Sequence, residues 1–370
     1  MRWKKQLLTL TPYQPGKSIE AVKEELGLDE IVKLASNENP FGCSPEAIKA
    51  IQKFSATAAV YPDGYATNLR SVLAEKLGVN GDQLIFGNGS DEIIQIISRA
   101  LLHPEARTVM ASPTFPQYKH NAVIEGASYV EVPLLNGEHD LENMLKNLDD
   151  VTNIVWLCSP NNPTGTYISL TNLLSFLDRA PDHVLVVLDE AYYEYVVADD
   201  YYDSIKLLDK YKNLIILRTF SKIYGLASLR IGYGVSSKEI IRALEPAREP
   251  FNTNSLAQLA ATASVLDEKF VETCRDKNKQ GLQQFYDFCK GRNLNYFPSQ
   301  GNFILINFGR DGDEVFQFLL KKGYIVRSGK ALGFPESVRI TVGSTEQNEG
   351  VIKAMDQFLN ENEIATAHRN

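Results

Sequence analysis

The most constraining feature of this chain is a repeating alternation. Short apolar runs rich in β-branched residues are each followed by a longer segment of helical periodicity. That rhythm predicts a parallel sheet covered by helices, an α/β fold. The predicted strands are 83–86, 108–111, 129–132, 154–158, 184–188, 214–217 and 231–235. Several are apolar throughout, as strands buried on both faces must be. Between them, the segment 91–102 places Ile93, Ile94, Ile97 and Leu101 on one helical stripe, with acidic residues in its first turn.

Past residue 245 the texture changes. The segment 245–252 carries Pro246 and Pro250 and breaks the alternation. Long helical patterns then run to about Cys289, followed by strand-like segments 302–307 and 338–342 and a last helix. The expected organisation is a large domain over 36–245 and a smaller α/β domain built from 1–35 and 246–370. The N-terminal arm should pack on the smaller unit, and the polar residues 360–370 should fray.

Charge and composition remove several function classes. The chain has 38 basic and 46 acidic side chains, a net −8. That opposes a nucleic-acid binder working through a broad basic face, yet permits a local positive pocket. The longest purely aliphatic run, 184–188, is five residues, against roughly 20 for a spanning helix. No membrane association is expected. Cys43, Cys158, Cys274 and Cys289 form no C-x-x-C pair, so neither a metal site nor a disulfide framework is expected. The basic start, Met1 to Lys5, is followed only by a short apolar stretch, which is not the pattern of a secretory signal. A cytoplasmic protein with reduced thiols is the expectation.

Ligands bind at strand ends in open parallel sheets, so the residues after each strand carry the functional reading. After 83–86 comes Gly87-Asn88-Gly89-Ser90-Asp91-Glu92, a glycine turn opening onto a helix. Free N–H groups there suit a phosphate, although Ser90 could equally be an ordinary cap. After 108–111, Phe115 could stack on a flat ring or belong to the core. After 154–158, Ser159-Pro160-Asn161-Asn162-Pro163-Thr164-Gly165 specifies an irregular backbone in unusual detail. After 184–188 comes Asp189-Glu190-Ala191-Tyr192, an acid placed to meet a buried cation. After 214–217 come Arg218-Thr219-Phe220-Ser221-Lys222 and, eight residues beyond the lysine, Arg230.

In this order, Asn-Pro-Thr-Gly, Asp-Glu-Ala-Tyr and Ser-Lys with a later Arg, the chain resembles the pyridoxal-phosphate-dependent aminotransferases of the aspartate aminotransferase fold, fold type I. The resemblance covers nearly the whole chain. It implies that Lys222 links covalently to the cofactor aldehyde and later moves a proton. Asp189 would keep the pyridine nitrogen protonated, so that the ring accepts electrons. Asn162 and Tyr192 would hydrogen-bond the ring's phenolic oxygen, and Phe115 would stack on its face, where many relatives carry Tyr. Ser90, Asp91, Thr219, Ser221 and Arg230 would hold the cofactor phosphate, joined by Tyr61 of a partner subunit, which implies a homodimer with shared active sites.

Further segments resemble the histidinol-phosphate aminotransferases within that family. They are Pro12-Tyr13-Gln14-Pro15-Gly16-Lys17, the run from Lys33 to Gly42, Tyr61-Pro62-Asp63-Gly64, Glu249-Pro250-Phe251-Asn252, Tyr324-Ile325-Val326-Arg327 and Val338-Arg339-Ile340-Thr341. The reaction implied converts L-histidinol phosphate and 2-oxoglutarate into imidazole acetol phosphate and glutamate, a step of histidine biosynthesis. Arg339 would take the α-carboxylate and Arg327 would be a second cation, with Tyr13 and Asn39 as further substrate contacts. An aromatic amino-acid aminotransferase, or an enzyme with both activities, is the nearest alternative. A threonine-phosphate decarboxylase is a further one.

Overall fold

In the computed structural model, which describes residues 1–8, 10–11, 18–54 and 59–367, the seven apolar runs become one seven-stranded sheet. Its strands are β1 (Leu84–Gly87), β2 (Arg107–Ser112), β3 (Ser128–Pro133), β4 (Thr152–Cys158), β5 (Leu185–Asp189), β6 (Leu214–Thr219) and β7 (Gly232–Ser236). The spatial order is β1-β7-β6-β5-β4-β2-β3. Strands β2 to β6 run parallel where they pair, so their C-terminal ends line one edge. The apolar alternation is explained by burial on both faces. Val155, Leu157, Val186, Leu188 and Ile216 enter one apolar layer. Trp156, Val187, Ile215 and Leu217 enter the other.

The sheet is mostly parallel, as expected, and one strand that pairs on both sides is antiparallel to its neighbours. β7 is antiparallel to both β1 and β6. A parallel return needs a crossover, usually a helix. The link from β6 to β7 holds only the short 3-10 turn Ala227–Leu229, so the chain doubles back. That same link contains Lys222.

The helices that position the site are α1 (Pro45–Gln52), α2 (Gly89–Leu101), α3 (Gln117–Glu125), α4 (Ser255–Leu266), α5 (Glu268–Gly291) and α6 (Thr345–Ala367). α2 begins at Gly89 rather than at the predicted 91, with Asn88 as its cap residue. The Asn88 side chain makes no cap bond. Instead its backbone N–H donates to Glu92, at 2.6 Å, so Ser90 is not the cap but lies inside the first turn.

A second, antiparallel sheet follows, in the order β10 (Arg327–Ser328), β11 (Ser337–Thr341), β9 (Phe303–Asn307), β8 (Asn295–Tyr296). Phe285 and Cys289 of α5 and Met355 of α6 bury one face of it, against Ile304, Ile306, Val338 and Ile340. Near the N-terminus, Lys4 and Gln6 donate to the carbonyl of Ile124 at the end of α3. Val32–Lys33 pairs in parallel with Tyr324–Ile325. Leu34 then accepts from the Thr341 N–H, at 2.8 Å, beside β11. From there the segment 35–43 crosses to the large sheet.

This crossing depends on one glycine. Gly225 has φ +69°, in the left-handed region, and its N–H closes a turn onto the Lys222 carbonyl at 2.9 Å. A Cβ there would run into the Gly42 carbonyl oxygen and lie 2.6 Å from its carbon. Both the φ and the space exclude a side chain. Gly225→Ala is expected to destabilise the protein by on the order of 3 kcal/mol, read as a drop in the midpoint of chemical unfolding. An unchanged midpoint would show that the two loops are not in contact.

Candidate active site

The C-terminal ends of β2, β4, β5 and β6 bring four loops together, as the sequence motifs require of an open parallel sheet. Asp189 ends β5 beside Cys158 of β4 and is 3% exposed. Its Oδ2 accepts from the Tyr118 hydroxyl at 2.6 Å. Its Oδ1 is buried with no hydrogen-bond partner among the described residues. Burial pushes its carboxyl up to about 6, with the Tyr118 hydrogen bond acting against that rise. A buried carboxylate with one oxygen unmatched is an acceptor prepared for a cationic N–H donor.

Lys222 lies in the β6–β7 link, with Nζ 3.5 Å from the Ser36 carbonyl and 5.5 Å from the centre of the Tyr192 ring. Burial first, then the Arg339 guanidinium, lower its amine to about 8. An amine in that range has a substantial neutral fraction near neutral pH and can act as a nucleophile or a base. Tyr192 is 3% exposed, its hydroxyl accepts from Asn37 Nδ2 at 2.9 Å, and burial raises its phenol.

A cradle forms where β1 meets α2. The first N–H groups of a helix lack intrahelical partners and carry the positive end of its dipole. Gly89 turns through φ +71°, and a Cβ on it would lie 2.7 Å from the Arg230 guanidinium. A Cβ on Gly232 would lie 2.5 Å from the Ser90 nitrogen. Arg230 itself adopts φ +57° and donates to the Ser221 hydroxyl at 3.2 Å and to Asp91 Oδ2 at 3.3 Å. Thr219 Oγ1 accepts from the Ser221 N–H at 3.1 Å. The Asp91 carboxylate faces Arg230, so its backbone N–H, not its side chain, suits an anion. The structure therefore brings Ser90, Asp91, Thr219, Ser221 and Arg230 into one neighbourhood.

The remaining expected residues divide. Asn162 Oδ1 accepts from Arg339 at 2.5 Å, so its amide nitrogen is the end that can donate elsewhere. Arg339 also donates to the Ala35 carbonyl at 2.8 Å. Arg327 of β10 stands directly opposite Arg339 of β11 in the antiparallel register. Like charges at opposed positions repel, which makes the pair a suitable receiver for an anion. Phe115 is half-buried and meets Tyr118 edge-on, with ring centres 5.6 Å apart. Tyr61 is 77% exposed and stacks on Phe251 at 4.7 Å. Tyr13 lies outside the described residues.

Asn39 is turned away from its expected substrate role. Its amide nitrogen donates to the Ile223 carbonyl at 2.7 Å and approaches Cys274 Sγ at 3.4 Å. Its oxygen accepts from Phe41 N–H. It ties loops together. Asn37, two residues earlier, is the asparagine at the site, held at φ +56° and bonded to Tyr192 and Thr341. The expected buried cation also goes to a neighbour: Arg218 pairs with Glu190, not with Asp189.

Two further residues were not singled out by sequence. Tyr118 is fully buried, stacked on Trp156 at 4.7 Å, and aims its hydroxyl at Asp189. Asn161 links two strand-end loops, accepting from the Thr114 hydroxyl at 2.7 Å and donating to Thr164 Oγ1 at 3.0 Å. For Tyr118 the sequence offers only its place in the motif after β2, three residues beyond Phe115 and just inside α3.

Comparison with known proteins agrees with this geometry. The family profile for aminotransferase class I and II matches residues 29–355. A histidinol-phosphate aminotransferase of Geobacillus sp. (strain WCH70) is 62% identical over 98% of this chain and 100% of its own length. The crystal structure of histidinol-phosphate aminotransferase from Sinorhizobium meliloti, in complex with pyridoxal-5'-phosphate, superposes with a TM-score of 0.88 at 25% identity, covering 97% of this chain and 98% of that one. An aspartate aminotransferase from Thermus thermophilus shares the fold, with a TM-score of 0.82 at 22% identity over 97% and 99% of the two chains.

Proposed function

Since the chain belongs to the class I and II aminotransferases, and among them to the histidinol-phosphate aminotransferases, we propose that it converts L-histidinol phosphate and 2-oxoglutarate into imidazole acetol phosphate and glutamate, using pyridoxal 5'-phosphate. The observation that carries the cofactor reading is the buried, unmatched Oδ1 of Asp189. When bound, the cofactor supplies a protonated pyridine ring that accepts the electron pair released as the substrate's α C–H bond breaks.

The chain's own residues have distinct tasks. Asp189 holds the proton on the ring nitrogen, because a cation at Oδ1 favours the carboxylate and opposes the burial that raises it. Tyr118 donates to Oδ2 and fixes the carboxylate's orientation. Lys222 would hold the cofactor at its aldehyde carbon, and its amine, lowered to about 8, would serve as the base that takes and returns the proton at the substrate carbon. Asn162 and Tyr192 would hydrogen-bond the phenolic oxygen, and Phe115 would cover the ring. Ser90 and Asp91 N–H groups, the Thr219 and Ser221 hydroxyls and Arg230 would hold the phosphate. Arg339, with Arg327 beside it, receives either the α-carboxylate of glutamate or the phosphate ester of histidinol phosphate.

Two features support a homodimer. Ile48, Val60, Tyr61, Tyr65, Phe251 and Leu259 are exposed apolar side chains around α1 and α4, and those two helices pack on each other. Exposed apolar side chains gathered around one helix pair favour an interface. Tyr61 lies within it, available to the partner's phosphate site. All four cysteines are unpaired, which fits a cytoplasmic protein. No helix among the described residues is long and apolar enough to cross a membrane.

Tyr118→Phe keeps the ring but removes the hydrogen bond to Asp189. A hydrogen bond to a charged group is worth about 1.5–3 kcal/mol, so cofactor affinity should fall at least roughly tenfold. Titration of the apoprotein by fluorescence measures this, and affinity within twofold of the parent would remove Tyr118 from the site. The substrate is tested by comparing kcat/KM for histidinol phosphate with phenylalanine and tyrosine. Histidinol phosphate should be strongly preferred. Equal or better rates on the aromatic amino acids would replace the substrate assignment, and carbon dioxide release without an oxo-acid acceptor would replace the reaction.

A further inference from the structure

A buried ion pair lies one residue from the cofactor-facing positions, on the opposite side of the large sheet. Glu190 follows Asp189 at the end of β5, and Arg218 precedes Thr219 on β6. The register places Asp189 beside Leu217, so the next pair outward is Glu190 beside Arg218. Side chains alternate along a strand, so while Asp189 faces Tyr118, Glu190 and Arg218 face the other apolar layer. Their side chains are 0% and 3% exposed. Arg218 Nε and a terminal nitrogen both reach Glu190 Oε2, at 3.0 and 2.9 Å. Ser204 joins them, donating to that oxygen at 2.8 Å and accepting from Arg218 at 3.2 Å. The Tyr193 ring, next to Tyr192, lies 3.5 Å from the guanidinium carbon.

Stability does not account for this pair. Two charges taken out of water forfeit several kcal/mol each, and apolar residues of similar volume are often neutral or better in their place. Glu194, pushed up to about 7 by burial, lies in the same charge field, drawn down by Arg218 and pushed up by Glu190. What the pair does supply is fixed geometry. It clamps the end of β5, which carries Asp189 and Tyr192, to the end of β6, which carries Thr219, Ser221 and Lys222. A planar guanidinium held by a carboxylate, a hydroxyl and a ring admits little sliding.

We propose that Glu190 and Arg218 are positioning residues that set the spacing between Asp189 and the Thr219–Lys222 loop, and so control how tightly the cofactor is held at both ends. The inference rests on the cofactor reading above. Slackening the clamp lets the pyridine contact and the phosphate contact no longer be met together, so affinity falls and Lys222 meets the cofactor in an altered field.

The test uses the full chain as apoprotein, with pyridoxal 5'-phosphate as the probe. Glu190→Gln keeps the shape and the acceptor but removes the charge. Arg218→Met removes the cation, and Arg218→Lys keeps it without the fork. Two readouts apply at a temperature where circular dichroism reports folded protein. They are the dissociation constant of the cofactor and the pH midpoint of the bound cofactor's yellow colour. Glu190→Gln should raise the dissociation constant at least about tenfold, equivalent to about 1.4 kcal/mol, and should displace the pH midpoint. Arg218→Lys should recover part of the affinity lost in Arg218→Met. If folded Glu190→Gln binds within twofold of the parent, the inference is overturned, whatever its melting temperature. If Arg218→Met does not fold, Glu190→Gln decides alone. A parent protein that never binds the cofactor would instead overturn the cofactor reading itself.

Discussion

Lys222→Ala is expected to yield a folded protein that binds the cofactor without a covalent link and turns over at least roughly 10,000-fold more slowly. The parent should be yellow, and borohydride should fix its cofactor to Lys222. The variant should release all of it on denaturation after the same treatment. The lysine's surroundings give the experiment a pH arm. Its amine lies near 8 because burial and Arg339 disfavour the charged form. The neutral amine is the nucleophile, so capture of the cofactor by the apoprotein should accelerate as pH rises through about 8 and level off above it. An ordinary exposed lysine would keep accelerating to about pH 10. A colourless parent that captures nothing at any pH would end the enzyme reading.

Asp189→Asn separates holding the ring from activating it. The amide is nearly isosteric, so it fits beside Tyr118 and can still donate to an unprotonated ring nitrogen. What it loses is the negative charge that keeps that nitrogen protonated. Removing one preorganised electrostatic group typically costs on the order of 100- to 1,000-fold. Here kcat should fall by at least the upper figure, with a far smaller loss of cofactor affinity. Single-turnover kinetics measure the first and fluorescence titration the second. Parallel losses in both would mean that Asp189 only helps to hold the ring.

The sheet was legible in the sequence because its inner strands are apolar on both sides, as two packed faces require; the edge strand β3, SYVEVP, is mostly exposed and shows only alternation. The direction of β7 was not legible from its own residues. It follows from the lack of a helical crossover after β6, a property of the connection. At the site, the strand-end motifs identified the backbone loops well, because proline, glycine and asparagine specify local geometry. The tertiary partners were hidden. Tyr118 reads as one more core aromatic on an amphipathic helix, and its hydroxyl acquires meaning only when β5 delivers Asp189 to it. The choice between Asn37 and Asn39 was equally invisible, since both lie in one short polar run. The fold decides it by giving Asn37 a left-handed backbone and Tyr192 as a neighbour. Glu190 and Asp189 pose the same problem: adjacent acids on a strand must face opposite ways, and only the register says which meets the arginine.

The segment 35–43, threaded between the two sheets, also sets an order of events. Asn37 donates its N–H to Thr341, 304 positions away along the chain. Ala35 accepts from Arg339 across the same interval. Contacts that distant close a very large loop, and during synthesis the early partner must wait for the late one. The seven-stranded sheet is complete once residue 236 has emerged, about a hundred residues sooner. A nascent chain would thus present a finished platform while Leu34, Ala35 and Asn37 still lack their partners Thr341 and Arg339. Halting synthesis just before residue 337 should leave the stretch around 34–37 more open to protease than in the full chain, while the platform resists it.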